Sequence, residues 1–423
     1  MPNFSIPLSG MTAESTALSA IANNLSNQNT TGYKDTTVLF SDLFYQNLGT
    51  TGSGDPIQEG AGTEVSAMPS LFTQGNITST GVSSDAAIQG SGFFIVQNSD
   101  GTLNYTRAGD FEVNNDNYLV TQSGQEVLGY PAGANGVVNT GAGLGPLQMG
   151  AGTISPPTAT TNVALTTNLD ASETVGDSYS TPVTVYDSLG GSHTLTYNFT
   201  YNGLDANGDG SWTYSITIPG ADVGQSGTSS VQLATGNLAF DSNGNLVTPA
   251  ANITGITLPN GDTLADGATA LSFTWQLYNA NGSGLLTQDA AANSTSNINA
   301  DGASSGTLES YTIGSDGTIT GSFSNGKTQA LGQIALASFA NENGLQLDGS
   351  TDYSPTLSSG AAVVGVAGTG GLGTISGSAL EASNVDIATE FSNLIVAQRG
   401  FEADAKAVTT FDQIMQDTIA LKQ

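Results

Sequence analysis

The chain has no cysteine, which removes disulfide frameworks and thiolate metal sites from consideration. Positive charge is scarce. Six lysines and arginines stand against 36 aspartates and glutamates, a net charge of −30. The six are Lys34, Arg107, Lys327, Arg399, Lys406 and Lys422, so no lysine or arginine lies between Arg107 and Lys327. Nucleic acid and anionic lipid both need basic patches and are excluded as partners. Histidine occurs once, at His193, so a His-rich metal site cannot be built, and no metal or cofactor is expected. No segment approaches the ~18 continuous apolar residues of a membrane span, and membrane insertion is not expected. The opening MPNFSIPLSGM lacks the basic and apolar regions of a secretory signal peptide, so export is expected to follow another route, without a cleaved signal.

At 423 residues the chain has room for two or three domains. Its 55 glycines would suit disorder, but the apolar residues alternate, which predicts β-structure with many turns. Val183–Tyr186, Thr194–Phe199 and Trp212–Ile216 alternate well, and Asn243-Gly244 reads as a type I′ turn. Pro156-Pro157 marks a linker, and residues 288–306, nearly devoid of large apolar side chains, read as a returning loop. The order predicted is nested: an N-terminal helix over 1–32, an extended connector over 33–70 and a first β-domain from 71 to 155. An inserted outer β-domain covers 156–306, and the first domain resumes over 307–358. A Gly-rich connector (359–382) and a C-terminal helix (383–423) follow. The fold class is mainly β, barrel- or sandwich-like, with helical termini forming a coiled-coil core.

The helical ends carry heptad spacing. Helix-start signals at Ser5, Pro7 and Ser9 precede Met11, Leu18 and Leu25, with Ile21 between, and Asn- and Thr-rich exit chemistry ends at Gly32. Ser383 and Asp386 have capping-box spacing. Ile387, Leu394, Phe401, Val408 and Met415 then recur every seven residues, with Phe391, Ala405 and Ile419 as a second stripe. These stripes must be buried against each other or against copies of themselves, which points to a polymer subunit. Isolated helices of this length are marginal in water, so the ends are expected to order on assembly.

Three motif matches fail on context, and no catalytic residues are assigned. His193 follows Gly190-Gly191 in a strand-like run without a G-x-S-x-G elbow, and is expected as an exposed strand residue. Asp205 to Gly210 opens like a calcium loop, but Ile216 stands where a bidentate acid is needed, so a polar turn is expected. Gly368 to Gly373 spells G-x-G-x-x-G with no helix directly after it, a chance match.

The block Ala20 to Lys34, with Asn23, Asn24, Asn29, Thr30, Gly32 and Tyr33, resembles the signature of the flagellar rod and hook axial proteins. Asp85–Ile88, Gly90–Val96 and Tyr105–Phe111 fit the same family. So does Leu380 to Asp386 with Ser383, Asn384 and Val385, continuing through Gln398, Arg399 and Phe401. Val183 to Leu195, Trp212 and Leu238 to Gly244 are similar to the outer domain of hook proteins. The resemblance implies a non-enzymatic subunit of an extracellular, curved, flexible tube that works as a universal joint between rod and filament. It implies self-polymerisation, with Leu18, Ile21, Leu25 and the Ile387-to-Met415 stripe in the tube core. Rod, hook-cap and hook–filament junction proteins and the flagellar export apparatus would be its partners. The alternatives are a straight distal-rod subunit and, from another class, a secreted acidic β-rich adhesin.

Overall fold

The computed structural model describes residues 4–133, 136–149, 153–225, 229–259 and 263–421. The chain is mainly β, and among the described residues the α-helices are α1 (Ser5–Ser26) and α2 (Ile387–Ala420), near its two ends. It divides into two units. The first comprises Met1–Ala151, Ser310–Gly321 and Gln329–Gln423, and the second Gly152–Glu309 with Ser322–Thr328.

In the first unit, strand Phe93–Gln97 lies beside Glu126–Pro131 and Thr328–Ser338. Its uninterrupted apolar run has a simple cause, since successive side chains point to opposite faces and both faces are covered. Phe94 and Val96 enter one core with Phe111, Ile334 and Leu336. Phe93 and Ile95 enter another with Tyr105, Phe339 and Tyr353.

The segments leading to the helices are more structured than connectors. Residues 33–70 form two antiparallel hairpin pairs, Leu39–Asp42 with Thr63–Ala67 and Gln46–Thr50 with Pro56–Glu59. The stretch read as a Gly-rich connector carries three strands. Val363–Val366 pairs with Thr328–Ser338, Thr374–Gly377 with Ala86–Gln89, and Ala379–Glu381 with Ile77–Ser79. Its glycines form the turn between two of them: Gly368, Gly370 and Gly371 have φ of +77°, +60° and +87°, where a side chain would be strained. The G-x-G-x-x-G match is this turn.

The second unit is two facing sheets around one core. One is an antiparallel meander of Ser178–Tyr186, Ser192–Leu204, Gly210–Pro219, Ser230–Phe240 and Leu246–Thr248. The other is built on Asn162–Asn168, flanked by Ser272–Gln276 and Leu286–Thr287 in parallel and Ser294–Ala300 antiparallel. Trp275 of this sheet packs edge-on against Tyr197 and Tyr214 of the meander, each with ring centroids 5.1 Å apart. Ser294–Ala300 lies inside the predicted loop. It is a polar, largely exposed strand, so hydrophobic alternation could not reveal it. Asn243-Gly244 does not make a type I′ turn, because only Gly244 has a left-handed φ, +77°. Asp241 Oδ1 instead accepts the Asn243 and Asn245 amides at 2.8 and 2.9 Å. Asp205 closes its hairpin similarly, accepting the Asn207 and Asp209 amides at 2.7 and 3.0 Å.

His193 is buried, not exposed. It shares the inward parity of Leu195, Tyr197 and Phe199 on its strand, and its neighbours make the burial tolerable. Nε2 lies 2.9 Å from Asp187 Oδ2 and Nδ1 3.1 Å from Asp222 Oδ2. Both ring nitrogens face carboxylates, so neither is left to take a proton from a serine. Burial works against the imidazolium, but the Asp187 and Asp222 carboxylates outweigh it and raise the His193 pKa above 6.5. Burial likewise opposes the Asp187 carboxylate, yet hydrogen bonds from His193, Asp266 and the Gly191 and Leu189 amides lower its pKa to about 2.

The stability from raised His193 is fully present below pH 6.5 and lost as pH rises through its folded value. That from Asp187 is present above its unfolded value of 3.8 and lost as pH falls through about 2. The second unit should therefore be most stable between roughly pH 4 and 6.5. The chain's two tryptophans, Trp212 and Trp275, both lie in its core, so urea titration followed by tryptophan emission reads this unit. His193→Gln should abolish the decline above pH 6.5.

Candidate assembly interface

α1 and α2 pack on each other antiparallel. Phe4 meets Phe411 edge-on at 6.0 Å, the Asp404 carboxylate lies against Gly10, and the Glu14 carboxylate against Gly400. Ala17 and Ile21 bury against Ala397, with Leu18 and Leu394 packed on them. Asn24 Nδ2 reaches Glu390 Oε2 at 3.2 Å. Gly10 and Gly400 leave room where each helix receives the other's acid, so the absence of a Cβ at Gly400 has a packing cause. Leu25 is half-buried, as are Phe401, Val408 and Met415. Ile387 and Phe391 are 46% and 48% exposed. For Ile387 the reason is length: α1 ends opposite Glu390 and begins opposite Phe411, so the outer turns of α2 have no α1 beside them, whereas Phe391 lies within that span on a face that α1 does not cover. The buried face of α1 is largely alanine (Ala13, Ala17, Ala20), a small-residue seam that the heptad reading of leucines passes over. Asp386, not Ser383, caps α2, its Oδ1 accepting the Ala388 and Thr389 amides at 2.8 and 3.1 Å.

Where the helices meet the first β-unit, the chain's roots are locked by a buried ion cluster. Lys34 Nζ donates to Glu381 Oε1 at 2.7 Å and to the Thr73 carbonyl at 2.9 Å. Gly75 N–H donates to the same carboxylate oxygen at 2.8 Å, and Arg107 approaches Oε2 at 3.4 Å. The Arg107 guanidinium also sits over the Phe93 ring, 5.4 Å from its centroid. Burial pushes the Lys34 ammonium below its usual pKa, opposed by Glu381. Gly32 has φ +68° and presses on the Arg107–Ala108 backbone, so a side chain there meets both strain and collision.

Hydrogen bonds extend the joint. Asn24 Oδ1 accepts the Tyr33 hydroxyl at 3.0 Å and the Thr36 amide at 3.1 Å, and Asn23 Nδ2 donates to the Tyr33 oxygen at 3.1 Å. Asn384 Oδ1 accepts the Asp35 amide at 2.7 Å, while its Nδ2 donates to the Leu71 carbonyl at 2.7 Å. Thr30 Oγ1 donates to Asn27 Oδ1 at 3.1 Å in the helix exit, and Ser383 Oγ accepts the Val385 amide at 3.3 Å. Asn29, Gln398 and Arg399 stand exposed, away from this joint. Thr73 and Asp35 are joint residues outside every block that the sequence reading picks out, while Glu381 and Glu390 lie in its C-terminal block without a role assigned to them.

Carboxylates crowd the helix pair. Burial and then Asp404 raise the Glu14 pKa. Burial and then Glu390 raise that of Asp35, partly offset by the Thr36 backbone and Asn24.

Comparison with known proteins places this geometry. Family profiles match in chain order: "Flagella basal body rod protein" over 6–34, "Flagellar hook protein FlgE/F/G D1 domain" over 87–168, "Flagellar basal body protein FlaE D2 domain" over 156–303 and "Flagellar basal body rod FlgEFG protein C-terminal" over 376–421. The flagellar hook protein FlgE of Salmonella typhimurium is 34% identical, over 99% of this chain and 100% of its own length. That of Escherichia coli is 35% identical with the same coverage. The chain belongs to the flagellar hook protein family. A Treponema pallidum hook protein is 32% identical over 98% of both chains. The crystal structure of Helicobacter pylori hook protein FlgE2 shares the fold, with TM-score 0.51 at 15% identity over 72% of this chain and all of that one. This hook-family chain is a structural subunit of the flagellum. No described helix is long and apolar enough to cross a membrane.

In the hook-family chain, Lys34→Met leaves Glu381 buried with half of its cationic support, a loss of about 3–5 kcal/mol. Scanning calorimetry should show the first unit melting earlier while tryptophan emission from the second is unchanged. Raised carboxylates favour the folded pair at low pH: their contribution is fully present below the unfolded values near 4 and lost as pH rises through the raised ones. Far-UV circular dichroism should therefore report more helix at pH 4.5 than at pH 7.5, and Glu14→Gln should shrink the difference.

Proposed function

We propose that this subunit polymerises into a curved, flexible tube that acts as a universal joint, passing torque from rod to filament. The paired helices form its inner core and the β-units lie outward. The observation that carries the reading is the buried Lys34–Glu381–Arg107 cluster, which ties both helix roots to the β-body. Torque applied to the core then reaches the β-unit through a stiff, fully buried link rather than through a loose hinge. Flexibility arises between subunits, where polar β-surfaces exchange hydrogen-bonded and water-mediated contacts at small cost. Rod, hook-cap and hook–filament junction proteins are its neighbours, and the flagellar export apparatus delivers it outside the cell. Leu18, Ile21, Leu25, Leu394, Phe401, Val408 and Met415 serve the core, with Ile387 and Phe391 facing other copies.

Assembled chain viewed by electron microscopy should form curved tubes; straight, rigid ones would favour a distal-rod role. A chain ending at Asp386 should keep both β-units folded, as tryptophan emission and calorimetry can verify, yet fail to form tubes. Tubes from that truncated chain would remove the helical core from the account.

A further inference from the structure

A groove of 280 Å³ opens along the helix pair. Ala17, Ile21, Val38 and Val396 give it apolar walls, and Glu14 and Glu390 supply carboxylates; none of its lining residues is basic. Glu390 is held by the Asn24 and Asn393 amides. Glu14 has no cationic partner among the described residues and lies near a second acid, Asp404. The groove is thus built for the methylenes and cationic head of a long basic side chain.

The chain has few such side chains to offer. Lys34 and Arg107 are buried on Glu381, and Lys327 donates to the Asp301 carbonyl at 2.8 Å. Among the described residues, that leaves Arg399 and Lys406, both exposed on α2. They stand seven residues apart on one face, about 200° around the helix from Ala397 and Asp404, which face α1. Arg399 pairs only with Glu402 three residues on, at 2.9 Å, with both side chains largely in solvent. Such a pair yields readily to a less hydrated partner.

We propose that Arg399 and Lys406 of one copy dock on the Glu14–Glu390 groove of the next, a head-to-tail contact between copies. It rests on the hook-subunit reading, which supplies a neighbouring copy. Charge complementarity selects that occupant, since in a chain of net charge −30 unmatched α2 surfaces repel. Donor and acceptor patches lie on different faces of the helix pair, so each copy gives its bases to one neighbour and takes bases from another. A heterologous contact of this kind propagates into an open filament unless its rotation closes a ring.

The test uses the full chain and reads tube formation by light scattering and electron microscopy. Arg399→Glu with Lys406→Glu alters only exposed side chains and should slow assembly at least about tenfold. Glu14→Arg should do the same, with helix content checked by circular dichroism. Mixed in equal amounts, the two variants should assemble, because every groove then meets a face of opposite charge. Normal assembly of the Arg399/Lys406 variant would overturn the contact while leaving the subunit reading intact, and so would failure of the mixture when both variants keep wild-type helix content. Failure of the unaltered chain to form tubes would count against the subunit reading itself.

Discussion

Glu381 ends the last strand before α2, and its carboxylate is fully buried. It is met by Lys34 from the exit of α1, by the Gly75 amide just ahead of strand Ile77–Ser79, and by Arg107 just after strand Leu103–Thr106. Three segments far apart in sequence converge on one acid. An apolar group of similar volume would often be as stable, so stability alone does not account for using ions here. What the ions add is direction. A carboxylate with a cation on each side fixes the two helix roots relative to the β-body, and Gly32 and Asn384 are shaped to that fixed point. If the roots were set only by apolar packing, a small slip would pass down the whole length of α2.

The same scarcity of positive charge that makes this cluster conspicuous shapes the rest of the molecule. Most acids must be stabilised without cations, and the turns show how. Asp205, Asp241 and Asp316 accept backbone amides within their own loops, which favours the charged form. The exceptions lie where burial is required. His193, when protonated, supplies a buried cation in the second unit between Asp187 and Asp222, and Lys34 and Arg107 supply the first unit's. In the groove along the helix pair no base lines the wall, and Arg399 and Lys406 stand on another face of α2, so Glu14 is left beside Asp404 and Asp35 beside Glu390.

Much of this was legible in the residues. The helical ends and the alternating strands of the second unit follow from periodicity, because those elements bury one face. The strand Ser294–Ala300 was hidden because it is polar and solvent-facing, so its place rests on ladder bonds to Asn162–Asn168 rather than on pattern. The strands within 363–381 were hidden because their glycines read as a linker, whereas they make a tight turn and allow close backbone approach to Gln89. The parity of His193 with Leu195 and Tyr197 points inward; Asp187 is six residues away across the turn, but Asp222 and Asp266 are remote in sequence and no local pattern links them to it. Glu381 lay in plain view inside the C-terminal block, but only the fold shows that Lys34 and Arg107 meet it.

The helix pair poses a problem that one copy does not solve. Among the described residues its buried apolar cluster is Ala17, Ile21 and Ala397, with Ala13 and Ala20 also buried on α1, and small side chains bring little transfer energy. Ordering more than fifty helical residues costs on the order of a kilocalorie per mole each in backbone entropy. Intrahelical hydrogen bonds offset part of that, but helices of this length remain marginal alone. Meanwhile Val396, Ile414, Ile419 and Leu421 lie exposed along α2, several of them beyond the reach of the shorter α1. An α2 that outruns its partner and keeps apolar side chains in water is poorly explained as a finished two-helix element. It is well explained as one strut of a many-copy core, in which neighbours complete the burial that α1 begins. The antiparallel seam with α1 then sets orientation at the Glu381 joint, and in the proposed tube contacts between copies would supply the burial that the seam lacks.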